Sequence, residues 1–257
     1  MINQKIIAAN WKMHKTFDEG LQLAQEIIFY LEHHAIPDME VILFPSFIHL
    51  QAISRLLPSG RKVYLGAQNC HYELAGAFTG EVSALMLASI PIQYVLVGHS
   101  ERRQNFLEDN RLIAQKIDAA LNMNLQPVFC CGETLSIREK NQHYHFIKEQ
   151  LSESLFHLKA EQVQQIKIAY EPVWAIGTGI IPSLLEIADM QKEIRDMLAI
   201  QYNSTLADHV AILYGGSCNS NNILDLIDIS GINGVLIGGA SLHLKEFLNI
   251  LNSLKTN

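Results

Sequence analysis

The chain has 257 residues, 49% of them hydrophobic and 18% charged, a balance that suits a folded domain with a large core and excludes a disordered or fibrous chain. Its formal net charge of -7 argues against the basic surface that follows a nucleic-acid backbone, so any anionic ligand must be held by a local site. No stretch is long and apolar enough to span a bilayer, and the start of the chain lacks the pattern of a secretion signal; a cytoplasmic chain with no nucleic-acid and no membrane partner is expected.

Read in chain order, short apolar runs fall at residues 5–9, 41–44, 63–66, 94–97, 125–130, 166–170, 209–213 and 234–237. Between them lie longer stretches of helical period at 17–32, 111–122, 137–158 and 184–201, so strand and helix alternate. Ser136 with Glu139 and Ser183 with Glu186 both have the spacing of a capping box. An open doubly wound sheet is the alternative, but eight such units within this length favour a closed (β/α)8 TIM barrel of parallel strands. No Pro, Gly or Ser cluster acts as a linker, so residues 1–257 are expected to form one domain.

Cys70, Cys130, Cys131 and Cys218 have neither a metal spacing nor the pattern of a disulfide framework. They read as reduced, small core residues, with a reactive thiol among them as the alternative. The connection from Gln68 to Thr79 is longer than a simple link and ends on an apolar tip. Docking on a second subunit and packing on its own barrel are both compatible with that tip.

A barrel of this kind carries its chemistry where the strands end at their C-terminal edge. Strand one runs into Asn10, Trp11 and Lys12; an extended segment there points Asn10 and Lys12 to one side. A lysine facing a phosphate pocket has an electrostatic use, whereas alone it reads as a solvated surface residue. Strand four runs into Gly98, His99 and Ser100. With Ser100 as a helix cap, the imidazole of His99 meets the positive end of a short helix and stays neutral, able to donate to a carbonyl. A lone histidine is otherwise a satisfied core or surface group. Strand six runs into Glu171 and Pro172, which directs a carboxylate into the mouth as a candidate base, against the plainer reading of a salt-bridged rim glutamate. Gly215, Gly216 and Ser217 follow strand seven and Gly238 and Gly239 follow strand eight; glycine pairs at both ends predict an anion cradle, although either pair alone reads as an ordinary turn. The apolar run Pro172, Val173, Trp174, Ala175, Ile176 and the closely spaced Gly177 and Gly179 reads as a lid over the site, or as a rigid plug.

These residues resemble the triosephosphate isomerase family over essentially the whole chain. The likeness rests on Asn10-Trp11-Lys12-Met13, Gly98-His99-Ser100-Glu101-Arg102-Arg103, Tyr170-Glu171-Pro172-Val173-Trp174-Ala175-Ile176-Gly177-Thr178-Gly179, Tyr214-Gly215-Gly216-Ser217 and Gly238-Gly239-Ala240-Ser241-Leu242. The resemblance implies an isomerase that interconverts dihydroxyacetone phosphate and glyceraldehyde 3-phosphate with no metal and no cofactor. It implies Glu171 as the base, His99 as the neutral electrophile, Lys12 as the cation beside the developing enediolate and Asn10 as a substrate-oriented amide, with phosphate at Gly177, Ser217, Gly238 and Gly239. That division of roles between glutamate and neutral histidine is the family's own. It also implies a homodimer through the loop from Gln68 to Thr79, with Thr79 reaching toward the neighbouring active site. One departure falls at the lid's exit, where Ile180-Ile181-Pro182 replace the lysine and small residues common in the family. A barrel enzyme for a larger sugar phosphate and a binding barrel that has lost its chemistry are the rival classes.

Overall fold

The computed structural model describes residues 5–34, 39–58, 63–176, 180 and 182–255. Its eight strands are β1 Lys5–Asn10, β2 Met39–Phe44, β3 Val63–Ala67, β4 Tyr94–Val97, β5 Gln126–Cys131, β6 Lys167–Tyr170, β7 Ala211–Tyr214 and β8 Gly234–Ile237. Each pairs in parallel with the next, and β8 pairs with β1 to close the barrel. The helices Phe17–His33, Asn110–Asn122 and Leu184–Gln201 occupy the segments of helical period.

Side-chain alternation divides the apolar residues into two cores. Ile6, Ala8, Ile42, Phe44, Leu96, Val128, Ala169, Leu213 and Leu236 belong to a cluster whose buried members all lie on strands, which fills the barrel. Their neighbours Ile7, Ala9, Val41, Leu43, Val95, Val97, Val235 and Ile237 join the larger layer beneath the helices. Both faces of each strand are covered, so the strands read as continuous apolar runs rather than as alternating patterns.

The stretch 137–158 is not one helix but two, Leu135–Glu139 and His143–Leu155, parted at Asn141, whose φ of 55° no α-helix accommodates. The expected Ser136 cap is displaced with it. Thr134 holds the N-cap position, and its hydroxyl lies 3.0 Å from that of Ser136, already inside the helix. At Leu184–Gln201 the box forms as expected: Glu186 Oε2 accepts from the Ser183 N–H at 2.9 Å, and the Glu186 N–H donates to Ser183 Oγ at 3.2 Å. A cap of the same kind, unread in the sequence, opens Phe17–His33, where the Thr16 N–H donates to Glu19 Oε2 at 2.9 Å.

After β3 the long connection lies outside the barrel wall, with residues 73–81 all exposed. Phe78 is held by a ring contact with His71, centroids 4.3 Å apart, not by the barrel. Among the described residues no helix is long and apolar enough to cross a membrane.

Candidate active site

Asn10 is the last residue of β1 and is buried. The chain does not continue extended beyond it. Lys12 has φ 52°, and its N–H turns back to donate to Asn10 Oδ1 at 2.9 Å. The expectation that an extended segment aligns the two side chains therefore fails, because the left-handed turn does the aligning and both residues still face one cavity. Gln68 Nε2 and Ser46 Oγ donate to the Lys12 carbonyl at 2.8 and 3.1 Å and brace the turn. The Lys12 ammonium donates to Glu101 Oε1 at 2.6 Å, and its stem passes so near Gly238 that a Cβ there would stand 3.2 Å from Lys12 Cε.

At the end of β4, Gly98 adopts φ 77° and turns the chain into the helix Ser100–Asn105. The cap of this helix is His99, not Ser100: its Nδ1 accepts from the Glu101 N–H at 3.2 Å. The cap fixes the tautomer, because a nitrogen that accepts a backbone N–H carries no proton, and the ring's hydrogen is left on Nε2.

Glu171 follows β6 directly and is 2% exposed. The N–H of His99 Nε2 is aimed at Glu171 Oε1 across 3.0 Å, and the Ser100 N–H donates to Oε2 at 3.0 Å. Burial pushes the Glu171 carboxyl up, but the imidazole, the Ser100 N–H and the Lys12 charge together outweigh burial and hold it below the usual carboxylate value. For His99, burial disfavours the imidazolium while Glu171, within hydrogen-bond reach, draws the pKa upward and prevails with the carboxylate in place. Burial thus favours the neutral ring that the cap describes, and the neighbouring carboxylate opposes it.

Ser217, Gly238 and Gly239 complete the wall. Gly239 opens a short 3-10 helix, Gly239–Leu242, and among the described residues its N–H and that of Ser217 have no protein acceptor. Glycine at 215 is a matter of space, since a Cβ there would stand 2.8 Å from Glu171 Cγ. Asn10, Lys12, His99, Glu171, Ser217, Gly238 and Gly239 thus line a single cavity of about 350 Å³. Gly177 lies outside the described residues. His14, Cys218 and Leu236 also line the cavity and were not read in the sequence as part of the site. The inward alternation of β8 points to Leu236, and adjacency to Ser217 points to Cys218; nothing local marks His14.

The first turn after Glu171 is tied to a buried carboxylate. Glu133 Oε1 accepts from Tyr170 Oη at 3.0 Å, Trp174 Nε1 at 2.9 Å and Arg138 Nη1 at 3.1 Å. All four cysteines are free and buried, and burial pushes the thiols of Cys70, Cys131 and Cys218 up to about 12, which keeps them protonated and unreactive. Among the described residues no group of three or more His, Cys, Asp or Glu is placed to hold a metal ion.

A carboxylate and an imidazole facing one cavity at the C-terminal mouth of a closed parallel barrel define a barrel enzyme equipped for proton transfer. Comparison with known proteins narrows the class. The family described as triosephosphate isomerase matches residues 5–254. The triosephosphate isomerase of Amoebophilus asiaticus is 66% identical over 253 residues, covering 98% of this chain and 100% of its own. That of Cytophaga hutchinsonii is 45% identical over 252 residues, with 98% and 100% covered. That of Porphyromonas gingivalis is 41% identical over 252 residues, with the same coverage. The chain belongs to the triosephosphate isomerase family.

Proposed function

We propose that this chain interconverts dihydroxyacetone phosphate and D-glyceraldehyde 3-phosphate, in glycolysis and gluconeogenesis, with Glu171 as the proton carrier. The observation that carries the assignment of roles is the pairing of Glu171 with His99 Nε2 at 3.0 Å in the wall of a cavity that also holds Lys12 and the glycine cradle. In this reading the substrate's phosphate lies against the N–H groups of Ser217, Gly238 and Gly239, with Gly177 joining them and Lys12 supplying positive charge. Glu171, ionised at neutral pH, takes a proton from the carbon beside the carbonyl. The C–H electron pair becomes a C=C bond, and the carbonyl pair moves onto oxygen as an enediolate. The N–H of His99, the Lys12 ammonium and the Asn10 amide face that developing charge. The hydroxyl proton passes from one enediolate oxygen to the other by way of the His99 imidazole, and Glu171 returns its own proton to the neighbouring carbon, which completes the aldose–ketose exchange without a metal or organic cofactor.

The cavity size favours this substrate over a larger sugar phosphate, since about 350 Å³ lies at the small end of ligand pockets. A binding barrel without chemistry has no use for a buried carboxylate held ionised against an imidazole. We take residues 1–257 as one cytoplasmic catalytic domain, with the segment after Glu171 as a lid that excludes water. The exposed 73–81 tip, together with exposed Phe78, Leu85, Met86 and Ile48, supports a homodimer through the loop from Gln68 to Thr79, because so much apolar surface is costly in water.

A coupled isomerase assay without added cofactor, run beside Glu171→Gln, tests the reading. The amide cannot accept the substrate proton, so turnover is expected to fall by at least about 10²-fold while analogue binding persists. Exchange of the substrate's carbon-bound hydrogen with solvent at the parent rate in this variant would remove Glu171 from the role of base.

A further inference from the structure

The wall behind Glu171 is built where the sheet runs out. The β4–β5 ladder has its last pair at Val97 and Phe129, because Gly98 then turns away into the helix that His99 caps. The β5–β6 side continues two rungs past the strand ends, with the Glu171 N–H donating to Cys131 O at 2.7 Å and the Val173 N–H to Glu133 O at 3.0 Å. On the vacated β4 side, side chains supply what a strand would. Arg103 Nη2 donates to Cys130 O at 3.1 Å and its Nε to Gly98 O at 2.7 Å. One peptide further on, Gln150 engages both polar groups of Gly132: its Oε1 accepts the Gly132 N–H at 2.9 Å and its Nε2 donates to Gly132 O at 3.3 Å.

Gly132 also lies close against the base's backbone. A Cβ at this position would overlap the carbonyl group of Glu171. Packing does not by itself hold the wall, since a cavity of about 170 Å³ lies there, lined by Gln150, Arg103, Ser100, Cys131, Val173 and Glu171. Hydrogen bonds are left to do so, and those of Gln150, 3% exposed on the helix His143–Leu155, are shielded from competing water.

We propose that Gln150 is a positioning residue for Glu171: its amide stands in for the missing β4 peptide and holds residues 131–133, and through them the base, in register with His99 and Ser100. The proposal rests on Glu171 being the base. It acts through geometry, because a carboxylate displaced by a fraction of an ångström loses alignment with both the substrate carbon and the two donors that keep it ionised.

The test compares the parent, Gln150→Met, Gln150→Glu and Glu171→Gln. Gln150→Met keeps the stem and deletes both bonds; Gln150→Glu keeps the acceptor for the Gly132 N–H. For Gln150→Met, kcat is expected to fall between about tenfold and a hundredfold with KM nearly unchanged. The acid limb of its kcat/KM profile should move to higher pH, because Glu171 loses the His99 and Ser100 contacts that lower its pKa. Gln150→Glu should lose less. Parental kcat and pH profile in a folded Gln150→Met protein, whatever its melting temperature, would overturn the proposal, as would failure of both variants to fold. If Glu171→Gln is inactive while Gln150→Met behaves as the parent, only the positioning role is lost; if Glu171→Gln remains active, the reading of the base itself fails.

Discussion

Replacing Glu108 by glutamine perturbs the molecule away from its cavity and at the root of the long exposed loop. Glu108 is 4% exposed, and its Oε1 accepts from Lys116 Nζ at 2.5 Å and from Arg102 Nε at 2.6 Å. Lys116 is 3% exposed and reaches on to Asn69 Oδ1 at 2.8 Å, the second residue of the loop from Gln68 to Thr79. Neutralising Glu108 leaves a buried ammonium facing a guanidinium with no opposing charge in contact. Breaking a buried pair in this way costs about 3–5 kcal/mol, far more than the net worth of the intact pair, because one charge stays desolvated. For a domain of this size that corresponds to roughly 6–20 °C in melting temperature. Thermal unfolding at fixed protein concentration should show the loss in Glu108→Gln, while turnover per folded molecule below the transition stays parental. In Glu108→Met with Lys116→Met, the stranded lysine charge is gone, so the double variant should recover much of the loss and the cycle should show coupling of at least about 2 kcal/mol. A Glu108→Gln protein within about 1 kcal/mol of the parent, or single losses that simply add, would refute the reasoning.

Lys12→Met keeps the stem beside Gly238 and removes the charge, so a phosphate analogue is expected to bind about tenfold to a hundredfold more weakly, with turnover reduced as well. Calorimetric titration and the isomerase assay at low salt read both, and unchanged values would place Lys12 outside the site. Phe78→Asp puts a carboxylate on the apolar tip of the loop, and an uncompensated charge in the proposed interface should weaken the proposed dimer by about 3 kcal/mol or more, roughly a hundredfold in dissociation constant. Sedimentation at micromolar concentration measures the effect; a parent chain that already sediments as a monomer would refute the interface.

The alternation of strand and helix was legible because a strand covered on both faces must be apolar throughout, and such runs are hard to disguise. Asn10, His99 and Glu171 were legible for a positional reason, each falling within two residues of a strand's C-terminal end, where a barrel opens to solvent. The misreadings were local choices between neighbours. Ser100 has the ordinary cap hydroxyl where the His99 ring takes the position instead, and Ser136 and Thr134 both carry such a hydroxyl within two residues of each other. Lys12 in a left-handed turn carries no glycine to announce it, so an extended reading was the natural default. The departure Ile180-Ile181-Pro182 is only partly placed: Ile181 lies outside the described residues, Ile180 is exposed and Pro182 is buried.

A closed barrel explains why the least legible groups gather round the most legible ones. Every residue assigned to the chemistry stands where a strand, or the strand beside it, has lost its ladder partner on at least one side, since only there does a side chain meet the opening. The backbone beside each is therefore short of a strand neighbour, and buried peptide groups must find partners elsewhere. Gln68 supplies one to the carbonyls of Lys12 and Phe44, Arg103 to Gly98 and Cys130, and Gln150 to both groups of Gly132. Apart from Arg103 and Gly98, five residues apart, these partners are distant in sequence, by 18 residues for Gln150 and Gly132, 27 for Arg103 and Cys130 and 56 for Gln68 and Lys12, so no short window contains both. A catalytic residue is visible through where its strand ends, whereas the residue that holds it still is visible only once the barrel has closed.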